Sequence, residues 1–423
     1  MARGETAEEG GGRPVVVIGA GAAGIMAAIF AAAGGASVLL LERTKDGGRK
    51  ILISGGGRCN VLPSRVEPSQ YVTASSPNLV RRLLRSWPLE EQRRFFEEEV
   101  GLRLALEPET GKLFPVSNRA RDVRDGLLAL ARRRGARIRF DAKVVGLDRP
   151  DSGTPWRVRL EDGASLEAAA VVLATGGLSV PKTGSDGIGL RIARGLGHTV
   201  QRTYPALTPL TADPPRHAAL AGVSLPVTLE APLERGRFST HGGFLFTHRG
   251  YSGPAVLNIS HLAVRSRAEG RPRQPIVVRW TELDAAGWDR EIRASRGTIG
   301  PLVRRRLPDR LADTLLAEAR VPADRPLGQL RRDERRRLLD ALTRYRLPWT
   351  GDEGYRKAEV TGGGVALGEV EPRTLESRLH RGLFLCGEIL DAFGPIGGYN
   401  FLWAWCTGRA AGEGAARASA AQP

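Results

Sequence analysis

The residues most suggestive of chemistry form a glycine pattern near the start of the chain. Gly19, Gly21 and Gly24 follow directly on the apolar run at residues 15–18. After a buried strand, the first glycine permits a tight turn, the second lets the backbone approach a pyrophosphate, and the third lets the next helix pack closely. The N–H groups at the start of that helix point at the phosphates. The pattern predicts a dinucleotide site formed by Gly19, Ala20, Gly21, Ala22, Ala23 and Gly24.

An acidic residue stands where such a site needs one. The apolar run at residues 37–41 ends at Glu42, and Arg43 follows it. A carboxylate at the end of the second strand can accept hydrogen bonds from the ribose hydroxyls of the dinucleotide. A lone glycine triplet would be a weak signal. The full combination favours a dinucleotide site over a purely structural turn. It consists of a strand, a glycine turn, an alanine-rich helix, a second strand and a terminal acid.

Two later apolar runs also end in glycine. Residues 170–174 lead into residues 175–177, and residues 382–386 lead into residues 387–388. A flavin dinucleotide extends beyond its ADP half, so its ribityl chain and ring need polar groups and a helix N-terminus from elsewhere in the chain. The acid at position 388 suits the ribityl hydroxyls, and the glycines before a helix predicted at residues 401–412 suit the ring edge. These features favour FAD as the cofactor.

Length and composition set outer bounds. A chain of 423 residues suits two or three domains and buries a large core. Its apolar runs are all far shorter than the roughly 20 residues that a membrane-spanning helix needs. Residues 1–13 are polar, acidic and glycine-rich, and we expect a disordered tail there on a cytoplasmic protein, with a second tail at residues 416–423. We expect no metal site and a reducing compartment, because neither paired nor metal-like spacing relates the cysteines, Cys59, Cys386 and Cys406.

The net charge of +17 raises the question of nucleic acid. The basic residues are almost all arginine and are spread along the chain beside acids, as at residues 331–335. A solvated, arginine-rich surface explains this better than a nucleic-acid site, because the sequence shows neither a basic stripe with interleaved aromatics nor a known nucleic-acid module. We therefore expect a small-molecule substrate and neither nucleic acid nor membrane as a partner. The sequence leaves the oligomeric state open.

Changes in composition indicate three structural parts. Residues 14–203 and 356–415 carry the glycine-punctuated strands and form the expected α/β dinucleotide-binding domain. Residues 204–281 and 346–355 are rich in proline and short alternating runs, which is typical of an antiparallel β domain. Residues 282–345 carry charged, leucine-bearing helical patterns broken by proline, so we expect a small helical insert within the β insert.

Several longer motifs carry a family resemblance. The chain resembles the YhiN/BaiN-like flavoproteins, a branch of the two-dinucleotide-binding-domain flavoprotein superfamily, over nearly all of residues 14–415. The motifs that carry it are GRK at 48–50, SGGGRCN at 54–60, FPVS at 114–117, ATGGLS at 174–179, PKTGS at 181–185, SGPA at 252–255, TGGGV at 361–365 and the segment 387–405. The resemblance implies a Rossmann-like FAD-binding domain built from both chain ends, with an inserted antiparallel β-barrel-like domain that carries the helical insert.

The resemblance also implies a set of cofactor contacts. Cations on the loop after Glu42 could neutralise the pyrophosphate or stabilise an anionic reduced flavin. Besides the first glycine pattern and Glu42, the expected FAD-binding residues are Arg43, Arg49, Lys50, Gly56, Gly57, Arg58, Cys59, Asn60, Val144, Ala174, Thr175, Gly176, Gly177, Gly387, Glu388, Asp391, Gly397, Gly398, Tyr399, Asn400 and Phe401.

The sequence does not identify a catalytic acid or base. Cys59 is conceivable as a low-pKa nucleophile beside Arg58, but a small buried packing residue is the preferred interpretation. Tyr399 and Asn400 could contact the flavin edge or donate a proton to substrate, with the cofactor contact preferred.

The expected activity is FAD-dependent hydride transfer at flavin N5, from a reduced nicotinamide, NADH or NADPH, to an organic substrate. A branch of the family suggests an enone-type double bond. Two alternatives remain at this stage, which are a flavoprotein that acts on or binds RNA and a flavin-binding sensor without turnover. The direction of the reaction, reductase or oxidase, is also open.

Overall fold

A computed structural model describes residues 12–148 and 154–421. The expected N-terminal tail lies almost wholly outside the described residues. The chain divides into two compact units, the first comprising Met1–Thr203 with Val360–Pro423 and the second Tyr204–Glu359.

The strands, in chain order, are β1 Val15–Ile18, β2 Val38–Leu41, β3 Leu62–Pro63, β4 Leu104–Glu107, β5 Lys112–Pro115, β6 Arg137–Arg139, β7 Val144–Asp148, β8 Trp156–Leu160, β9 Ser165–Ala168, β10 Ala170–Leu173, β11 Val200–Ala206, β12 Leu210–Thr211, β13 Ser224–Pro232, β14 Arg237–Thr247, β15 Gly250–Ser252, β16 Val277–Arg279, β17 Tyr345–Arg346, β18 Gly351–Asp352, β19 Val360–Val365 and β20 Leu383–Leu385. The α-helices are α1 Ala22–Ala33, α2 Arg49–Ile53, α3 Pro77–Arg85, α4 Leu89–Arg94, α5 Ala120–Arg133, α6 Ile188–Gly195, α7 Pro254–Ala268, α8 Ala285–Ala294, α9 Ile299–Arg304, α10 Asp309–Ala319, α11 Arg332–Thr343 and α12 Tyr399–Ala420.

The first unit is organised by a five-stranded sheet in the order β20-β10-β1-β2-β6. All four pairings are parallel, and Ile18 at the end of β1 lies beside Leu41 and Leu173. Leu173 in turn pairs with Leu385 of the C-terminal strand β20. The continuous apolar runs suit this sheet because parallel strands are buried on both faces. The Rossmann-type α/β fold predicted from the sequence is confirmed, with strands from both ends of the chain in one sheet.

The C-terminal helix α12 packs very closely on α1. A Cβ atom added at Gly408 would lie 2.4 Å from the carbonyl oxygen of Ala23, and one at Gly412 would lie 2.3 Å from that of Ala27. The helix is longer than the predicted span of residues 401–412. It begins at Tyr399 and continues through residues 416–420, which the sequence suggested were tail. The alanines of this stretch have the highest helix propensity, and Ala415 and Ala416 are buried, so the helix gains from continuing.

Two small antiparallel sheets also belong to the first unit. One has the order β3-β5-β4 and the other the order β7-β8-β9. The first contains the β4–β5 hairpin, whose turn lies between Glu107 and Lys112. Helices α3 and α4 are separated at Trp87-Pro88, because proline interrupts a helix.

The second unit contains a seven-stranded sheet in the order β17-β16-β13-β14-β15-β12-β18. Every pairing within it is antiparallel. The two edge strands are close in sequence, since β17 ends at Arg346 and β18 begins at Gly351. That connection spans at most about 18 Å, whereas the edges of a flat seven-stranded sheet are about 29 Å apart. The sheet is therefore strongly curled.

The helices α8 to α11 of the second unit share a hydrophobic core with its sheet. Trp288 of α8 and Leu311 of α10 belong to the same buried cluster as Phe246 of β14 and Val278 of β16. The helical segment is therefore joined to the sheet by continuous packing, within one compact unit.

Candidate cofactor site

The carboxyl ends of the parallel strands bring together the glycine segments that the sequence predicted. Gly19 follows β1, Glu42 follows β2, residues 174–177 follow β10 and residues 386–388 follow β20. Because β1 pairs with both β2 and β10, and β10 with β20, these four ends lie side by side. In open α/β sheets, ligands bind at this edge.

The first glycine turn has the geometry that its residues suggested. Gly19 adopts a left-handed backbone with φ of 101°. A Cβ at Gly24 would lie 1.8 Å from the carbonyl oxygen of Gly19, so only glycine allows α1 to start this close to β1. At Gly21 a Cβ would meet no atom within 4 Å. The space beside Gly21 and the uncapped N-terminus of α1 suit a pyrophosphate.

Glu42 is buried and tied to both flanking turns. Its Oε2 accepts a hydrogen bond from the backbone N–H of Ala20 at 2.9 Å. Its Oε1 accepts from the N–H of Thr44 at 2.9 Å and from Thr44 Oγ1 at 2.8 Å. A carboxylate has about four acceptor positions, so three protein bonds leave room for a ribose hydroxyl. The carboxylate is already fixed in orientation.

At the opposite side of the sheet edge, Lys50 and Glu388 form an ion pair. Lys50 Nζ also donates to Ser179 Oγ at 2.5 Å, and Ser179 Oγ donates to Glu388 Oε1 at 2.5 Å. The backbone N–H of Thr361 donates to the same Oε1 at 2.9 Å. Glu388 therefore holds the ammonium of Lys50 in place, and both groups are only about one-fifth exposed.

Sequence reasoning did not identify Ser179 or Thr361 as part of this network. A Cβ at Gly177 would lie 2.4 Å from Thr361 Oγ1, and that oxygen accepts from the backbone N–H groups of Leu178 and Ser179. The available signal was indirect, since both residues flank glycines within the motifs at residues 174–179 and 361–365. Their contact depends on segments about 180 residues apart, which a single sequence does not relate.

Three other side chains that were predicted to contact FAD form hydrogen bonds or ion pairs with neighbouring loops. Arg43 forms an ion pair with Asp186 and donates to the carbonyl of Gly184. Arg49 Nε donates to Asp46 Oδ1 at 2.7 Å. Asp391 Oδ2 accepts from the N–H of Ala74 at 2.9 Å and from Thr73 Oγ1 at 3.2 Å. These side chains hold the loops around the sheet edge in position.

The glycine-rich loop after α2 has an unusual backbone. Gly55, Gly56 and Gly57 all have positive φ, at 55°, 68° and 87°. A Cβ at Gly56 or Gly57 would meet no atom within 4 Å, and all three glycines are exposed. The left-handed backbone explains the run of glycines. The loop therefore presents bare backbone to an open space.

Cys59 is fully buried and its thiol is not activated. Burial raises the pKa of Cys59 to about 12, against a smaller lowering by a hydrogen bond with Ser54. A low-pKa nucleophile needs the opposite shift. The geometry supports the packing role that the sequence favoured.

Two buried polar atoms beside the glycine segments lack a partner among the described residues. They are Asn60 Oδ1 and Thr175 Oγ1. Asn60 Oδ1 lies 3.0 Å from the position of a Cβ at Gly398, at the N-terminus of α12. A buried polar atom without a hydrogen bond is costly, and a flavin ring offers both an N–H donor and carbonyl acceptors. Asn60 Oδ1 therefore fits a bound FAD, whereas Thr175 Oγ1 faces α6, where a Cβ at Gly189 would lie 2.0 Å from it.

The start of α12 supplies the last group of predicted contacts. Gly397 and Gly398 have φ of 128° and 94°. Both polar atoms of the Asn400 side chain are engaged, since Oδ1 accepts from the N–H of Gly394 and Nδ2 donates to its carbonyl, both at 2.9 Å. Asn400 therefore shapes the turn. Phe401 stacks on Trp405 at 5.4 Å between ring centroids.

Tyr399 is placed differently from Asn400. It is half-buried at the first position of α12, and burial raises the pKa of its hydroxyl. Its ring packs beside that of Tyr71, with 5.8 Å between centroids, and its carbonyl accepts from Tyr71 Oη at 2.7 Å. Tyr399 therefore keeps its proton at neutral pH.

The other positions predicted to contact FAD carry small side chains or none. Four of them are buried, namely Ala20, Ala23, Ala174 and Val144. Gly387 approaches α1 so closely that a Cβ there would lie 2.7 Å from Ala23 Cβ. Among the residues that the structure describes, no group of three or more His, Cys, Asp or Glu side chains is placed to hold a metal ion. Within those same ranges, no helix combines the length and apolar character that crossing a membrane requires.

The parallel sheet and its glycine edge define a dinucleotide-binding protein of the Rossmann type. Residues 13–414 match the family model described as HI0933-like protein Rossmann domain, and the chain belongs to that family.

Relatives of known activity align over most of the chain. The ribosomal RNA dihydrouridine synthase of Escherichia coli is 34% identical over 85% of this chain and 87% of its own length. The 3-dehydro-bile acid delta(4,6)-reductase of Clostridium scindens is 33% identical over 89% of this chain and 91% of its own length. The family resemblance inferred from the motifs is confirmed.

A solved structure confirms the fold across nearly the whole chain. The 3-ketosteroid delta1-dehydrogenase of Sterolibacterium denitrificans has a TM-score of 0.52 at 13% identity, covering 96% of this chain and 99% of that one.

Proposed function

We propose that this protein is an FAD-dependent reductase that saturates a carbon–carbon double bond conjugated to a carbonyl group, with a reduced nicotinamide as electron source. The observation that carries the proposal is the set of fixed and orphaned polar groups around the carboxyl edge of the parallel sheet. The names of the relatives support the reaction class. A delta(4,6)-reductase and a dihydrouridine synthase both act on double bonds next to a carbonyl system.

The chain binds the cofactor through groups already in position. The N-terminus of α1 takes the pyrophosphate beside Gly21, and Glu42 takes a ribose hydroxyl. Asn60 Oδ1 acquires from the flavin ring the hydrogen-bond partner that it lacks among the described residues. Lys50 places a fixed positive charge at the sheet edge, where it stabilises negative charge on the cofactor.

The chemistry that bound FAD supplies is two-electron hydride transfer from the nicotinamide to the β-carbon of the substrate. A proton must then reach the α-carbon. We assign it to the hydroxyl of Tyr399, which keeps its own proton while its oxygen accepts a hydrogen bond from the backbone of Glu67. The balance is one reduced nicotinamide and one proton consumed for each double bond saturated.

We propose that the curled antiparallel sheet of the second unit forms the β-barrel-like insert. We assign residues 204–281 and 346–355 to it, and residues 282–345 to its helical insert. The α/β domain then comprises residues 14–203 and 356–415. The E. coli and C. scindens relatives align with 85% and 89% of this chain. This coverage supports the same domain arrangement in the relative named for ribosomal RNA and in the relative named for a bile acid.

An anaerobic experiment tests the reaction. The holoenzyme is mixed with NADH or NADPH, bleaching of the flavin band is followed, and a conjugated enone is then added. We expect reduction by one of the nicotinamides, reoxidation by the enone, and a saturated ketone as product. A protein that is never bleached by either nicotinamide would be a sensor instead.

A second candidate substrate is uridine in ribosomal RNA. The net charge of +17 favours it, and so does the name of the E. coli relative. The second unit alone carries 27 Lys and Arg against 18 Asp and Glu over residues 204–359. Because neutralised phosphates make binding salt-dependent, RNA that co-purifies and is released by high salt, together with dihydrouridine formed in a ribosomal RNA substrate, would identify this substrate.

A further inference from the structure

Arg58 lies away from the sheet edge where Lys50 is fixed, although both belong to the loop after Glu42. Its guanidinium stacks over the ring of Phe114, with 4.0 Å between Cζ and the ring centroid. Its Nη1 donates to Glu107 Oε1 at 3.0 Å. Both partners belong to the β4–β5 hairpin. The ammonium of Lys50, in contrast, pairs with Glu388 beside β20.

The guanidinium is held in one orientation but is not enclosed. Glu107 is itself fixed, because Thr110 Oγ1 donates to its Oε2 at 2.5 Å. Arg58 remains 42% exposed. Among the described residues, Glu107 is its hydrogen-bond partner, through Nη1, and a guanidinium carries five N–H donors. One face therefore covers Phe114, and the remaining donors are open to a ligand.

The surroundings of this stack suit a ligand with apolar area. Two large apolar side chains in the adjoining segments are about half exposed, namely Ile53 and Val116. Val116 follows Phe114 by two positions and so lies on the same face of the hairpin. The loop between Ile53 and Arg58 has no side chains at Gly55, Gly56 and Gly57. A Cβ at Gly55 would lie 3.2 Å from Phe114 Cε1, which shows that this loop passes beside the stack.

The stack is also close to the proposed flavin site. The same built atom at Gly55 would lie 3.2 Å from the backbone nitrogen of Asn60. Asn60 Oδ1 faces Gly398 at the start of α12, where the flavin ring is proposed to lie. Arg58 is therefore two positions before Asn60, which lies at the proposed site of the flavin ring. The guanidinium of Arg58 itself points toward the β4–β5 hairpin.

We propose that the Arg58–Phe114 stack is the substrate-recognition element for a planar conjugated carbonyl compound. The free guanidinium donors bind the carbonyl oxygen in the plane of the cation, which its stacking on Phe114 holds fixed. Hydrogen bonds to that oxygen also withdraw electrons from the conjugated double bond, which favours attack by hydride. This inference rests on the proposed function and identifies the residue that recognises its substrate.

The test uses the oxidised holoenzyme and a conjugated 3-keto-4-ene steroid, 4-androstene-3,17-dione, as the probe. Binding is followed from the perturbation of the flavin absorption band, which requires no turnover. The test variant is Arg58→Lys, which keeps the charge but loses the planar fork. The matched control is Arg134→Lys, because Arg134 also lies over a phenylalanine, Phe30, and pairs with a glutamate, Glu99, at 2.9 Å.

We expect Arg58→Lys to weaken binding of the steroid about tenfold, with the FAD content and the rate of reduction by the nicotinamide unchanged. Arg134→Lys should leave all three unchanged. Unaltered steroid binding in Arg58→Lys, or a wild-type holoenzyme that does not bind the steroid, would overturn the inference. Binding that depends on Arg58 without any turnover would retain the recognition element and refute the reductase reaction.

Discussion

Lys50 and Glu388, separated by 338 positions in the sequence, form an ion pair at the carboxyl edge of the parallel sheet. Ser179 bridges the two groups, and the backbone of Thr361 fixes the carboxylate. Four distant segments therefore meet at one charged group. This contact joins the N-terminal and C-terminal parts of the proposed cofactor site.

The pair should show strong coupling in a double-mutant cycle of Lys50→Met, Glu388→Gln and the double variant. We expect an interaction free energy of about 1 to 2 kcal/mol in unfolding experiments, because the groups are mostly buried and share Ser179. The matched control is the exposed pair Lys143–Glu161, whose coupling should be below about 0.5 kcal/mol. Additive effects of the Lys50 and Glu388 changes would show that the network does not act as a unit.

Gly24→Ala should destroy the dinucleotide turn. Its added Cβ would lie 1.8 Å from the carbonyl oxygen of Gly19, and relief of that overlap requires α1 to move at a cost of about 1–3 kcal/mol or more. We expect loss of FAD and a lower thermal midpoint. Gly21→Ala is the control for folding, since its Cβ meets no atom within 4 Å. It should fold normally and bind FAD more weakly, because the methyl group occupies the space proposed for the pyrophosphate.

The dinucleotide turn could be predicted from the sequence because the residues that determine it are close together in the chain. The apolar run, the glycine turn and the acid Glu42 all lie within 30 residues, and the structure arranges them as their spacing indicated. The break at Trp87-Pro88 and the hairpin turn between Glu107 and Lys112 were likewise set by residues at those positions.

The remaining features depend on contacts between distant segments. The roles of Ser179 and Thr361 arise only when β10, β19 and β20 are brought together. Asn400 is occupied by the backbone of Gly394, which its position beside two glycines did not reveal. The full length of α12 also depended on tertiary packing, since Gly408 and Gly412 allow it to lie against α1.

Cys59 should be unreactive in the folded protein. Because burial raises its pKa to about 12, the thiolate is scarce at neutral pH, and Cys386 and Cys406 are also buried. A thiol reagent such as DTNB at pH 8 should label less than one thiol per chain over an hour, and all three after unfolding in urea. Fast labelling of a single thiol, abolished in Cys59→Ala, would contradict the packing role.

Tyr399→Phe should separate the two half-reactions. We expect the rate of flavin reoxidation by the enone to fall 10²- to 10⁴-fold, the usual range for loss of a general acid. Reduction of the flavin by the nicotinamide should be unchanged, since that step needs no proton from Tyr399. Stopped-flow measurement of both steps provides the check. Equal slowing of both steps would indicate a structural role in the flavin site.

Unfolding of the second unit should depend on pH through His261. This side chain is buried, and burial lowers its pKa to about 4 despite a hydrogen bond with the carbonyl of Asn258. In the unfolded chain this histidine takes up a proton near pH 6.5, whereas in the folded protein it stays neutral down to about pH 4. The free energy of unfolding is therefore at its full value above pH 6.5 and falls as the pH is lowered toward 4. The loss should approach roughly 3 kcal/mol. The difference between the urea midpoints of the wild type and His261→Gln should change within this window and stay constant above it, and parallel curves throughout would contradict the assignment.

The flavin site is tested most directly by the amount and identity of the cofactor released when the purified, FAD-reconstituted protein is denatured. We expect one FAD per chain in the wild type and much less in Gly24→Ala. A protein that takes up no FAD, or that retains only NAD, would contradict the claim that the two ends of the chain form a flavin site.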